Sequence, residues 1–356
     1  MNTLDDPRRP EAEAERRPRP DRTAEPRRSW TRYLSVTNIG IIYVLIGLIV
    51  VFSILAPETF PTWTTVRSVL NGAAVPGLIA LALVIPLSAR LFDLSVGNAM
   101  GLANVLVAWL LVEQGWGVAP AVLVTLLAGL AMGAFNGLVV VSAKIDSFIG
   151  TLATGALFAT VVTMLADQSV TGPQLGGAFG AIATTGLFGL TLPLYLLLAV
   201  AVAFWFFQKY TVTGRRVYAL GFNERGAELV GIRTRRLKFA SLIAAGFVVS
   251  VAGILLASSV NSGTPHIGPP YLLDAYAAAF LGATQFGGRF NAFGTLLAVI
   301  LLGVGTNGIF LIGGAAWAQS LFGGVVLLLA LGASNLEQAI RARSWIRAKA
   351  RQAAAP

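Results

Sequence analysis

Ten apolar stretches, almost bare of charge, occupy most of the sequence between Asn38 and Ala333. A hydrocarbon layer of about 30 Å takes roughly 20 apolar residues to cross as a helix. Backbone polar groups find no water there, and a helix satisfies them within its own segment. On that ruler, spans are predicted at 38–56, 70–88, 95–112, 117–141, 148–166, 190–207, 239–260, 271–286, 292–312 and 315–333. The expected fold is all-α: a polytopic membrane helix bundle of about ten transmembrane helices. Charged residues make up 12% of the chain, about half the share of a soluble domain, which excludes a large water-soluble core.

The positions of the basic residues orient the bundle. Of 26 Lys and Arg, nine lie from Arg8 to Arg32, eight from Lys209 to Lys238, and five from Arg341 to Arg351. Arg67, Arg90, Lys144 and Arg289 are the others. Basic residues gather on the cytoplasmic side of short loops. Ten spans with both termini inside place every basic residue but Arg67 in the cytoplasm; one span more or fewer throws whole Arg clusters across the membrane. Residues 1–37 read as a basic cytoplasmic tail, disordered through residue 33 because it lacks bulky aliphatics. They carry no short hydrophobic stretch ending in a small-residue cleavage site, so no signal peptide is expected. Residues 38–335 form the transmembrane domain, and 336–356 a second basic cytoplasmic tail.

Composition also excludes function classes. The chain has no cysteine and one histidine, His266, so thiolate catalysis, Cys-ligated metals and a histidine-centred site are not expected. No catalytic residue, metal or cofactor is expected. The net charge of +10 marks topology and not nucleic-acid binding, since no folded polar domain interleaves with it. A Gly–Lys dipeptide never occurs, which rules out the phosphate-binding loop of an ATPase. An ion-coupled secondary transporter is the alternative reading, but such proteins keep relayed ionisable groups at the midplane. Here the span interiors are nearly free of them.

The polar insertion 208–238 contains Asn223, a good N-cap; Glu224, suited to a first turn; and Gly231, suited to the position just past a helix end. A two-turn helix between them presents Ala227 and Val230 on one face, with Leu229 and Ile232 nearby. Two turns are too short to stand alone in water, so something must hold it. The run Gly214-Arg215-Arg216-Val217-Tyr218-Ala219-Leu220-Gly221, followed by Asn223-Glu224, Ala227, Leu229, Gly231 and Ile232, resembles the ribose-type permease family of ABC importers. So do Asp93-Leu94-Ser95-Val96-Gly97, Asn136-Gly137, Phe148-Ile149, Thr151-Leu152, Leu273-Asp274-Ala275 and Asn307-Gly308. The likeness spans about residues 40–335.

That resemblance implies a non-catalytic permease subunit of the bacterial inner membrane, carrying a sugar or sugar-like solute. It implies a separate ABC ATPase docked on a short cytoplasmic coupling helix, with Asn223, Glu224, Ala227, Glu228 and Gly231 as coupling residues. An extracytoplasmic solute-binding protein and a second permease subunit, identical or homologous, complete the set of partners beside the lipid bilayer. Asp93, Asn136, Phe148, Thr151, Asp274 and Asn307 become candidates for the translocation path. The residues themselves also allow Asp93 to be a helix cap paired with Arg90, and Asp274 an N-cap at the outer end of its span. Asn136, Asn307 and Gln319 suit hydrogen bonds between helices. The stripe Gly129-x-x-x-Gly133-x-x-x-Gly137 suits close helix packing. The chain departs from the family at Arg90-Leu91-Phe92, where a glycine pair is usual, and at Ser147, where proline is common. It departs again at Leu272, where an acid is frequent, and at Ala283, in place of the second glycine of a pair.

Overall fold

A computed structural model describes residues 36–285, 288–315, 317–329 and 332. Residues 1–35, the expected disordered tail but for its last two positions, lie outside the described residues, as does the C-terminal tail 336–356. Each of the ten predicted stretches falls on a helix. These are α1 (Val36–Leu55), the pair α2 (Trp63–Gly72) and α3 (Ala74–Ser88), α4 (Val96–Val112), α5 (Val118–Gly137) and α6 (Ser147–Leu165). After the short α7 (Gly177–Thr184) come α8 (Leu192–Tyr210), α9 (Val212–Phe222), α10 (Glu224–Leu229) and α11 (Thr234–Val260). The last are α12 (Pro269–Ala283), α13 (Ala292–Leu311) and α14 (Trp317–Leu329).

Five of these segments are long and apolar enough to cross a membrane unaided, α5 being extended to Ser142 by a π-turn. The α2–α3 pair makes a sixth if its 41° bend is one broken span. The bend has a local cause: Pro76 lacks the N–H that would bond back across the junction. Three shorter apolar helices, Gly40–Leu55, α4 and α14, accompany them. The protein is a polytopic helical membrane protein.

Burial separates the centre from the rim. Two thirds (67%) of the apolar window of α11 is buried, against 28–33% for α5, α6 and α8. α11 packs on α5, α4 and α3, and α3 is buried along almost its whole length. Large apolar side chains therefore face outward on the rim helices, as a lipid solvent requires and water does not permit. The crossing of α5 with α11 is glycine against glycine: a Cβ at Gly133 would overlap Leu242 O, and one at Gly246 would overlap Gly129 O. The small-residue stripe lets the two backbones meet.

The segment between α6 and α8 forms a small cap. It holds a single 3-10 turn, α7 and a two-residue hairpin whose turn residues Phe188 and Gly189 both have positive φ, the geometry that matches strand twist. Asn71 pins the hairpin by donating to Gly189 O at 3.1 Å and accepting from Thr191 N at 3.0 Å. Ser258 of α11 holds α7, donating to Phe179 O at 2.7 Å.

Candidate functional site: coupling helix and polar core

The polar insertion folds as two helices where one was expected. Thr211 caps α9 by accepting from Gly214 N at 3.0 Å; Gly214 and Gly221 inside a helix are poor formers and hide it from a propensity reading. Both serve close approach, for a Cβ at Gly221 would overlap Ser88 O at the end of α3. Asn223 then breaks the helix with an extended backbone and caps α10, accepting from Gly226 N at 3.0 Å. At the other end Gly231 N donates to Glu228 O (2.9 Å) and Ile232 N to Ala227 O (3.0 Å). That is a Schellman closure, and it needs the left-handed φ of +79° that Gly231 adopts.

Each polar coupling candidate, Asn223, Glu224 and Glu228, makes a bond within the chain. Glu224 pairs with Lys238 of α11, and Glu228 accepts from Thr234 Oγ1 at 2.8 Å. Ala227 is buried, only 4% exposed, whereas Val230, expected on the same face, is bare. Outward lie Phe222 (83% exposed), Leu229 (89%) and Val230 (76%). Capped at both ends and held by one ion pair, α10 and its flanks fix three bare apolar side chains in place, Phe222 at the end of α9 and Leu229 and Val230 at the end of α10, beside the exposed Arg225 and Glu228. Phe222 and Leu229 carry that apolar surface; Leu229 stands in the matched run, yet neither is among the coupling residues the resemblance implies.

The path candidates fall into two separate groups. In the first, residues 91–95 run without helix between α3 and α4, with Leu91, Asp93 and Ser95 buried and Phe92 exposed. Three successive amides of this segment are satisfied by side chains from other helices. Phe92 N donates to Ser147 Oγ (3.2 Å), Asp93 N to Tyr276 Oη (3.0 Å) and Leu94 N to Thr151 Oγ1 (2.9 Å). Backbone outside helix and sheet, once enclosed by other helices, needs such partners for its polar groups. Two departures from the resembling family, Phe92 and Ser147, touch here. Asp93, 2% exposed, accepts on one oxygen from Ser95 N (3.1 Å), Ser95 Oγ (2.6 Å) and Asn136 Nδ2 (3.4 Å). Asn136 also donates to Ser95 Oγ at 2.7 Å and accepts from Thr154 Oγ1.

Asp93 therefore caps the turn into α4, as one reading of the sequence had it, but the pairing with Arg90 is absent. Arg90 points away and donates to Phe222 O at 3.3 Å. The acid serves as a knot joining α4, α5 and the entering loop. Beside it Phe92 meets Phe148 edge-on at 6.3 Å and lies near Tyr276 and Phe280, each at 6.5 Å. All three acceptor contacts reach Asp93 Oδ1, so an asparagine can reproduce them while leucine cannot. Asp93→Asn is expected to leave thermal stability of the purified chain nearly unchanged. Asp93→Leu should cost about 3 kcal/mol, read as a lower melting temperature, since it strands two donors in a buried site.

The second group lines a cavity of about 310 Å³ among α2, α12, α13 and α14. Asp274, Asn307, Gln319, Ser68 and Thr306 contribute its polar atoms. Asp274 is not an N-cap: α12 begins at Pro269, which puts the acid in the second turn. Asn307 donates to Ser68 Oγ at 3.2 Å, a helix-to-helix bond of the kind expected, while its buried Oδ1 has no partner among the described residues.

Similarity to known proteins accords with this architecture. Residues 65–331 match the family described as "Branched-chain amino acid transport system / permease component". The ribose import permease protein of Bacillus subtilis (strain 168) is 33% identical, the match covering 80% of this chain and 88% of the relative. That of Escherichia coli (strain K12) is 30% identical over 89% and 99%. The xylose transport system permease protein of the same strain is 28% identical over 80% and 90%. With a family match over three quarters of the sequence and a relative 33% identical over most of its length, the chain belongs to the permease-component family of the branched-chain amino acid transport system.

Proposed function

We propose that this chain is the membrane subunit of an ATP-binding cassette importer for a sugar or sugar-like solute, pentoses such as ribose and xylose being the first candidates. The observation that carries the reading is α10, a helix locked at both ends and bracketed by the bare apolar side chains of Phe222, Leu229 and Val230. A partner with a complementary groove converts that rigidity into leverage: closure of two ATPases on nucleotide moves α10, and the ion pair of Glu224 with Lys238 passes the movement to α11, the buried centre of the bundle. The chain itself performs alternating access and no covalent chemistry. Ten spans with both termini in the cytoplasm place α10 on the ATPase side and the hairpin at Phe188 on the side of the solute-binding protein. The path runs beside Phe92 and Phe148, with Asp93, Asn136 and Thr151 holding its wall. Asp274 and Asn307 offer acceptors to solute in the second cavity. A second permease subunit covers the exposed apolar faces of the rim helices that line the path.

The absence of cysteine makes this directly testable. A single Cys at Leu229 is expected to crosslink to the ATPase through a short thiol reagent, and to label in intact cells only after permeabilisation. A Cys at Phe188 should label from outside and never reach the ATPase. The reverse pattern overturns the reading. For the coupling pair, Glu224→Lys should weaken co-purification of the ATPase several-fold, and the swap Glu224→Lys with Lys238→Glu should restore most of it. Recovery in the swap separates a lost ion pair from a lost contact with the partner.

A further inference from the structure

At the junction of α8, α9 and α13 lies a cleft of about 620 Å³ that the importer reading leaves unused. Its rim is basic and aromatic. Lys209 Nζ sits 5.3 Å from the ring centres of both Trp205 and Tyr210, and the Arg289 guanidinium 5.8 Å from that of Tyr218. Arg215 donates to Tyr210 O at 3.4 Å. None of these three cations makes an ion pair among the described residues, although each stands beside the others' cleft wall. Burial pushes the Tyr218 phenol up to about 12, and it donates to Phe290 O at 2.7 Å, so no phenolate offsets the positive charge. The floor is different: Phe293 and Leu297 continue along α13, a helix apolar enough to span a membrane, as α8 is on the other side. A cationic mouth with an apolar floor running into the bilayer matches one occupant in both halves.

We infer that this cleft holds an anionic glycerophospholipid, its phosphate among Lys209, Arg215 and Arg289 and its acyl chains along Phe293 and Leu297. The charge complementarity carries the choice: the cytoplasmic leaflet is anionic, and basic pockets between helices there take phosphate headgroups, while Trp and Tyr sit at headgroup depth. Zwitterionic lipid would leave the cluster uncompensated. The inference rests on the membrane placement of α8 and α13 and stands whether or not the chain imports sugar. The test places the full-length chain in bilayer discs of equal dioleoyl-phosphatidylglycerol and dioleoyl-phosphatidylcholine, extracts it gently, and counts retained lipids by native mass spectrometry. One phosphatidylglycerol per chain should be retained in preference. Replacing Lys209, Arg215 and Arg289 together by glutamine should reduce that preference about tenfold, whereas glutamine at Arg225, Arg233 and Arg236 should not. The three single replacements carry the same comparison if the triple variant is not recovered folded. Equal retention by the triple variant overturns the inference. So does displacement by millimolar inorganic phosphate, which assigns the cleft to a soluble anion, or loss of the lipid when the ATPase is added, which assigns it to protein contact.

Discussion

Aspartate at both Phe222 and Leu229 is expected to abolish ATPase association and ATP-driven uptake while leaving the chain itself intact. Both side chains are more than four fifths exposed, and neither belongs to a buried cluster, so their loss costs the isolated fold little. Large apolar residues at the middle of an interface commonly carry 2 kcal/mol or more each, and desolvating a carboxylate against an apolar groove adds to that. Association should weaken by at least about a hundredfold, measured by co-purification or by titrating labelled ATPase onto the chain in lipid discs. Expression level and melting temperature should stay within error of the parent. Unchanged association would remove α10 as the docking element and return Glu224 and Glu228 to the role of ordinary loop charges.

A second large effect belongs to the crossing of α5 and α11. Gly133→Leu or Gly246→Leu should prevent the chain from accumulating in the membrane, because the atoms in the way are backbone: Leu242 O for the first, Gly129 O for the second. Overpacking an ordinary core costs 1–3 kcal/mol because side chains can shift. Here two helix axes must separate along a helix at the buried centre of the bundle, so the cost should reach about 3 kcal/mol or more. Gly47→Ala is the matched control, since a Cβ there meets nothing within 4 Å. Fluorescence-detected size exclusion of tagged variants reads both outcomes: an aggregated or missing peak for the two leucines, and a parental profile for Gly47→Ala.

The sequence told a great deal about the scaffold, because membrane helices obey a one-dimensional rule. Apolar length selects the helices, and each of the ten stretches is one. What pattern could not supply was contact between distant segments. Asp93 reads as a cap or as a lining residue; the approach of Asn136 and Tyr276 shows it tied into a knot. Asp274, also readable as a cap, lies in the second turn because Pro269 and Pro270 begin the helix ahead of it. α9 stayed hidden behind its two glycines, whose reason is tertiary. On α10 the caps at Asn223 and Gly231 were legible from residue type, since local hydrogen bonding sets them. Which residues faced outward was not, because that depends on α11 and Lys238 taking the polar side.

The claim on which the rest depends is that solute movement is driven by ATP hydrolysed on separate chains acting through α10. Proteoliposomes holding the full-length chain, its ATPase and its solute-binding protein, loaded or not with ATP on the ATPase side, test it with labelled ribose and xylose. Uptake is expected only when ATP, ATPase and binding protein are all present, and is lost with Phe222→Asp/Leu229→Asp. Uptake by the chain alone, driven by a proton or sodium gradient and indifferent to that double substitution, would contradict it.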